Sequence, residues 1–115
     1  MRILVCGGRG YANRESVYRD LDRRHGEQPI SCIIHGGATG ADQLAHEWAR
    51  ERGIAYDVYV ANWKSHAKSA GPMRNQQMLD EAKPDLVVAF PGNDGTRDMC
   101  ERAWAAGVPL SLVAP

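Results

Sequence analysis

Apolar residues along this chain fall in short blocks that switch between a strand-like and a helix-like period. Ile3, Leu4 and Val5 form a continuous apolar run, Ile30 to Ile34 a second and Asp85 to Phe90 a third. Each reads as a strand buried on both faces. Tyr56 to Val60 alternates instead, with Tyr56, Val58 and Val60 on one face, and Leu110 to Val113 closes the series as a fifth strand. Between them the period lengthens. Val17, Tyr18 and Leu21 line one side of a segment whose remaining positions carry Arg14, Glu15, Arg19, Asp20 and Arg23, an amphipathic helix capped by Asn13 and stopped near Gly26. Leu44, Ala45, Trp48 and Ala49 share the apolar face of a second helix that runs to about Arg52 and ends at Gly53.

The connection from Ala61 to Pro72 is less regular and contains a Gly71-Pro72 break, so the next helix is expected over Met73 to Ala82, with Met73, Gln77 and Met78 facing inward or toward a site. Thr96 is the expected N-cap of the last helix, in which Met99, Cys100, Ala103 and Trp104 share a face; Gly107 and Pro109 end it. Strands and helices alternating at this spacing imply right-handed crossovers. The fold class is therefore α/β, a Rossmann-like three-layer domain with a mostly parallel five-stranded sheet, and residues 1–115 are read as a single domain.

In such sheets ligands sit beyond the carboxyl ends of the strands, where the strand order reverses. Glycine-rich turns follow the first, second and fourth strands here: Gly7-Gly8-Arg9-Gly10, Gly36-Gly37-Ala38-Thr39-Gly40 and Pro91-Gly92-Asn93-Asp94-Gly95-Thr96. A strand, a glycine turn and a helix N-terminus together aim backbone N–H groups at one point, which favours an anion such as phosphate. The first turn is not a dinucleotide fingerprint, because Asn13 stands where a third glycine would be, and no Gly-Lys-Ser/Thr occurs. It does offer Arg9, a planar donor suited to phosphate, and Tyr11, a ring able to stack on a base.

The formal net charge is zero, with 14 basic and 14 acidic residues, which argues against a protein that grips long nucleic acid by phosphate neutralisation. Charge is nevertheless unevenly placed: Ala61 to Leu79 holds Lys64, Lys68, Arg74 and His66 but no acid. A one-signed stretch at the same rim attracts an anion; Trp63 beside it is either a stacking platform or a lid. Asp42, Asp94 and Asp98 are the carboxylates near this rim, and Asp42 in the first turn of a helix either complements the dipole or anchors a ribose hydroxyl. The histidines show no metal-ligand spacing, His46 is read as a surface residue, and neither a metal nor a cofactor is called for. Three cysteines, with Cys6 and Cys32 inside apolar runs, read as reduced buried thiols; with no leader or long apolar span visible, a cytoplasmic protein with no membrane partner is expected.

Taken together, Cys6-Gly7-Gly8-Arg9, the turn from His35 to Asp42, Gly71-Pro72-Met73-Arg74-Asn75-Gln76 and the run from Pro91 to Met99 resemble the YspA/YpsA-related branch of the SLOG superfamily. The resemblance implies a Rossmann-like domain that binds a nucleotide or nucleotide-derived ligand through Gly7, Gly8, Arg9, Tyr11, Gly36, Gly37, Gly40, Asp42, Arg74, Asn75, Pro91, Gly92, Gly95 and Thr96. The related LOG-type phosphoribohydrolases carry a similar loop at Pro91, Gly92, Gly95 and Thr96, but Met99 stands here where their catalytic glutamate falls, and Gln76 where their arginine falls. Their reaction, N-glycosidic cleavage of a nucleotide, would then need Asp98 or Asp42 in its place. Their pairing through helices implies a homodimer, with Trp48 or Trp104 as contributors. The DNA-processing protein A family is similar at Gly40, Asp42, Ala45 and His46, which makes single-stranded nucleic acid a third class of partner.

Overall fold

The computed structural model describes residues 1–115. Five strands, β1 (Arg2–Cys6), β2 (Cys32–His35), β3 (Ala55–Val58), β4 (Leu86–Ala89) and β5 (Leu110–Leu112), form one sheet in the order β3-β2-β1-β4-β5. Every pairing is parallel, with Leu4 opposite Ile34 on one side and Val87 on the other. The expected mostly parallel sheet is therefore wholly parallel.

The alternation of side chains along the central strands divides the core in two. Ile3, Val5, Ile33, Val88 and Phe90 face α1 (Arg14–Glu27) and α2 (Ala41–Arg52), packing on Val17, Leu21, Ala45 and Trp48. Leu4, Cys6, Cys32, Ile34, Val87 and Ala89 face the opposite layer. That layer contains α4 (Ala70–Gln77), its continuation as a π-turn over Met78–Ala82, and α5 (Asp94–Ala105), which contribute Met78, Leu79, Ala82, Met99 and Ala103 to the core. Because both faces are covered, the strands carry continuous apolar runs.

Several local expectations change. Asn13 caps α1 as expected, its Oδ1 accepting the Ser16 N–H at 3.0 Å, but the helix passes through Gly26 to Glu27. The irregular stretch holds a one-turn helix, α3 (Trp63–His66), capped by Asn62, and a 3₁₀ turn over Ala67–Ser69. Pro72 does not break the chain there: it lies in the first turn of α4, where a missing N–H is tolerated. Of Met73, Gln77 and Met78 only Met78 is buried. Thr96 is not an N-cap, since α5 begins two residues earlier and Thr96 lies in its first turn. Trp104 leaves the face shared by Met99 and Ala103 and is 82% exposed, whereas Trp48 is fully buried and so is unavailable to a second chain. Tyr56, Val58 and Val60 stay exposed because β3 is an edge strand.

A cavity at the strand-order reversal

The order reverses between β1 and β4, and the turns leaving these two strands lie side by side there. Gly8 ties them together. Its N–H donates to the Pro91 carbonyl at 2.8 Å, and its carbonyl accepts from Tyr11 at 3.1 Å and from Ala41, the first residue of α2, at 3.2 Å. The turn after β2 presses on the same backbone. Gly40 has φ +76°, and a Cβ there would collide with the Gly8 carbonyl oxygen and the Arg9 backbone. Only glycine fits this approach in this conformation.

These turns, with α4, enclose a cavity of about 800 Å³, within the range of small-ligand sites. Gly7, Gly8, Arg9, Tyr11, Gly36, Asp42, Arg74, Asn75, Pro91, Gly92, Gly95, Thr96 and Asp98 all line it. Gly37 and Gly40 do not: Gly37 packs beneath Val58 and Val60, and Gly40 lies against Gly8. Lys68, Trp63 and Asp94 also reach the lining, while Lys64 and His66 do not.

The two helix N-termini at the cavity differ. At α2 the carboxylate of Asp42 turns back on its own loop, and its Oδ2 accepts the N–H groups of Gly36 at 3.1 Å and Ala38 at 3.2 Å. The Gly37 N–H goes to His35 Nδ1 at 3.0 Å. The amides of Gly36, Gly37 and Ala38 are thus already satisfied. Burial raises the Asp42 carboxyl to about 6, against the downward pull of those amides and of Arg74. At α5 no side chain caps the helix, and the amides of Gly95 and Thr96 find no acceptor in a side chain or neighbouring loop. This end is left free for an anion.

Arg74 crosses the face of Gly36, in the space a Cβ would fill. Its Nη1 donates to the Gly36 carbonyl at 2.7 Å and its Nε to Asn75 Oδ1 at 3.1 Å, which leaves Nη2 without a protein partner. No carboxylate pairs with it, and burial lowers its pKa. Arg9 lies 5.2 Å from the centre of the Trp63 ring and has no acidic partner either. Tyr11 packs on Phe90 with ring centres 5.6 Å apart. Asp98 accepts from Asn75 Nδ2 at 2.9 Å and from Arg102 Nε at 2.8 Å. Met99 points the other way and is fully buried, so the helix turns Asp98, and not the residue at the glutamate position of the LOG-type loop, toward the cavity.

One group was misplaced by sequence reasoning. His46 is half-buried, not a surface residue: its Nδ1 lies 2.9 Å from Nε2 of buried His35, and its ring 4.2 Å from that of Tyr56. Burial lowers His35 to about 4. The spacing of residues 35 and 46 carries no motif; only the strand-to-helix packing brings them together.

Comparison with known proteins agrees with this architecture. The profile of the YAcAr family, described as "YspA, cpYpsA-related SLOG family", matches residues 1–66. The Gene 61 protein of Mycobacterium phage D29 is 36% identical over 117 residues, covering 95% of this chain and 93% of that protein. The X-ray structure of DNA processing protein A from Streptococcus pneumoniae is similar with a TM-score of 0.80 at 18% identity, over 99% of this chain and 50% of that one. The chain thus spans half the length of that structure, and the likeness is one of fold. On the family profile and the phage relative together, this chain belongs to the YspA, cpYpsA-related SLOG family.

Proposed function

We propose that the cavity binds a nucleotide or nucleotide-derived small molecule, with a phosphate at the N-terminus of α5. The observation that carries this reading is the combination, in one cavity, of free first-turn amides at Gly95 and Thr96 with the unpaired Nη2 of Arg74. Helix amides and a guanidinium both donate to phosphate oxygens. Arg9 and Lys68 add positive charge at the rim. Tyr11 and Trp63 supply ring surfaces for a base. Asp42 shapes its loop through Oδ2, and its Oδ1, which has no partner within the chain, faces a cavity where it can accept from a ligand hydroxyl such as that of a ribose.

Thermal-shift and calorimetric titration with nucleoside monophosphates, nucleoside diphosphates and the parent nucleosides tests the reading. Phosphorylated ligands should raise the melting temperature and nucleosides should not. Arg74→Gln should weaken the binding by about 10- to 100-fold, the equivalent of one charge-assisted hydrogen bond. Equal effects of nucleoside and nucleotide, or unchanged affinity in Arg74→Gln, would overturn it.

A second reading, a nucleotide N-glycosidase, is favoured by the presence of two carboxyl groups, Asp42 and Asp98, in the same cavity. Release of free base, followed by chromatography and abolished in Asp98→Asn, would establish it; binding without base release leaves the first reading standing.

A further inference from the structure

Asn75 is buried to 4% exposure, and every polar atom of its side chain is engaged within the chain. It stands on α4 and reaches in two directions. Its Oδ1 accepts the Arg74 Nε–H at 3.1 Å. Its Nδ2 donates to the Gly95 carbonyl, in the first turn of α5, at 3.3 Å and to Asp98 Oδ2, farther along the same helix, at 2.9 Å. Only one orientation of the amide satisfies these three groups. Turned over, it would set its NH₂ against the Arg74 N–H and its oxygen against a carbonyl and a carboxylate. The guanidinium is thus held at two of its three nitrogens, Nε by Asn75 and Nη1 by the Gly36 carbonyl at 2.7 Å, and Nη2 is the one left over. A single buried amide grips both donor groups of the cavity, the guanidinium of α4 and the N-terminal turn of α5.

We propose that Asn75 is a positioning residue that fixes Arg74 Nη2 relative to the Gly95 and Thr96 amides, so that one phosphate group meets both; this rests on the phosphate reading of the cavity given above. An arginine ordered only when an anion arrives gives up its rotamer freedom at that moment, which weakens binding, whereas one already held does not. Asn75 acts through Arg74 and α5, because its own donors and acceptor are spent. Two substitutions separate its contacts. Asn75→Ala releases Arg74 Nε and both contacts to α5. Asn75→Asp keeps an acceptor for Arg74 Nε, but it sets a carboxylate beside the Gly95 carbonyl and Asp98 and offsets the charge of Arg74. Gln76 is the control: its side chain bonds to Arg102 and Asp80 and touches neither Arg74 nor the first turn of α5.

NMR of the nitrogen-15-labelled intact chain reads arginine Nε–H groups directly, and the Arg74 signal is identified by its loss in Arg74→Gln. With no anion present, the Arg74 Nε–H of the parent should exchange with water at least about tenfold more slowly than that of exposed Arg19. Asn75→Ala should lose this protection, while Asn75→Asp and Gln76→Ala should keep it. Titration with inorganic phosphate, followed at the Gly95 and Thr96 amides, then reads the site. Asn75→Ala and Asn75→Asp should each weaken phosphate binding by about tenfold or more, and Gln76→Ala by less than about twofold. An Arg74 Nε–H that exchanges in the parent as fast as that of Arg19, protection that survives in Asn75→Ala, or phosphate binding by either Asn75 variant as tight as by the parent would overturn the proposal. The parent and Asn75→Asp decide it even where Asn75→Ala does not fold. Failure of the phosphate reading itself looks different: the Gly95 and Thr96 amides of the parent would stay unmoved by phosphate, and the proposal would fall with it.

Discussion

Replacing Asp42 with asparagine should stabilise the protein, and only above mildly acidic pH. Burial lifts this carboxyl from an ordinary 3.8 to about 6 in the fold. Between those values the folded chain holds a proton that the unfolded chain has released, so stability falls as pH rises through the window and stays lower above it. At 1.36 kcal/mol per pH unit, the shift corresponds to about 3 kcal/mol of stability withheld at neutral pH. Asparagine removes the charge without losing the geometry. Both loop amides, of Gly36 and Ala38, donate to a single oxygen, Oδ2, and an amide oxygen in the same place can accept both, as the protonated carboxyl does.

Urea denaturation followed by tryptophan fluorescence, repeated from pH 4 to pH 8 on both proteins, measures the difference. Groups common to the two cancel, so the difference should be small near pH 4 and grow to about 3 kcal/mol in favour of Asp42→Asn above pH 6.5, a melting shift of roughly 10 °C. A difference that does not change with pH would refute the reasoning. So would a variant less stable than the parent at pH 7.5, since the ionised carboxylate would then be holding the loop better than a neutral oxygen can.

His35 supplies the opposite gradient. Its pKa falls from 6.5 to about 4, so the fold gains stability as pH rises across that interval. His35→Asn should lose this gain and show stability that declines from pH 4 to pH 6, where the parent is nearly level; the same denaturation series checks it. Gly40→Ala should cost at least about 3 kcal/mol, because it combines a forbidden backbone conformation with a collision against Gly8 and Arg9, and calorimetric melting reads the loss. Gly10→Ala is the matched comparison: a Cβ there meets nothing within 4 Å, and stability should stay within about 0.5 kcal/mol of the parent.

The strands and their layering were legible in the sequence because the central strands are buried on both faces and read as unbroken apolar runs. So was the gathering of the glycine turns, which parallel crossovers deliver to one end of the sheet. What escaped was the choice among partners once the turns had met. Asp42 was visible as an acid in a helix first turn, but that it spends Oδ2 on its own loop follows from a closure of the turn that periodicity does not encode. The 35–46 histidine pair depends on how a helix sits over a strand. Pro72 was misread because a Gly-Pro pair marks a break in a chain and also the first turn of a helix, and the local signal is the same for both. Thr96 shows the same ambiguity: a threonine after a glycine-rich turn suits either the cap or the turn just inside it.

Gly8 bonds to Tyr11 within its own turn, to Ala41 after the second strand and to Pro91 after the fourth. The cavity therefore has no local precursor. A partly folded chain containing only the first two crossovers would lack the wall that α5 provides, and proteolysis or misfolding of the C-terminal half would erase the cavity without touching the residues of the first turn. Any molecule held there also braces three distant stretches of backbone at once, so occupancy and cooperative folding of the whole sheet are one thermodynamic event.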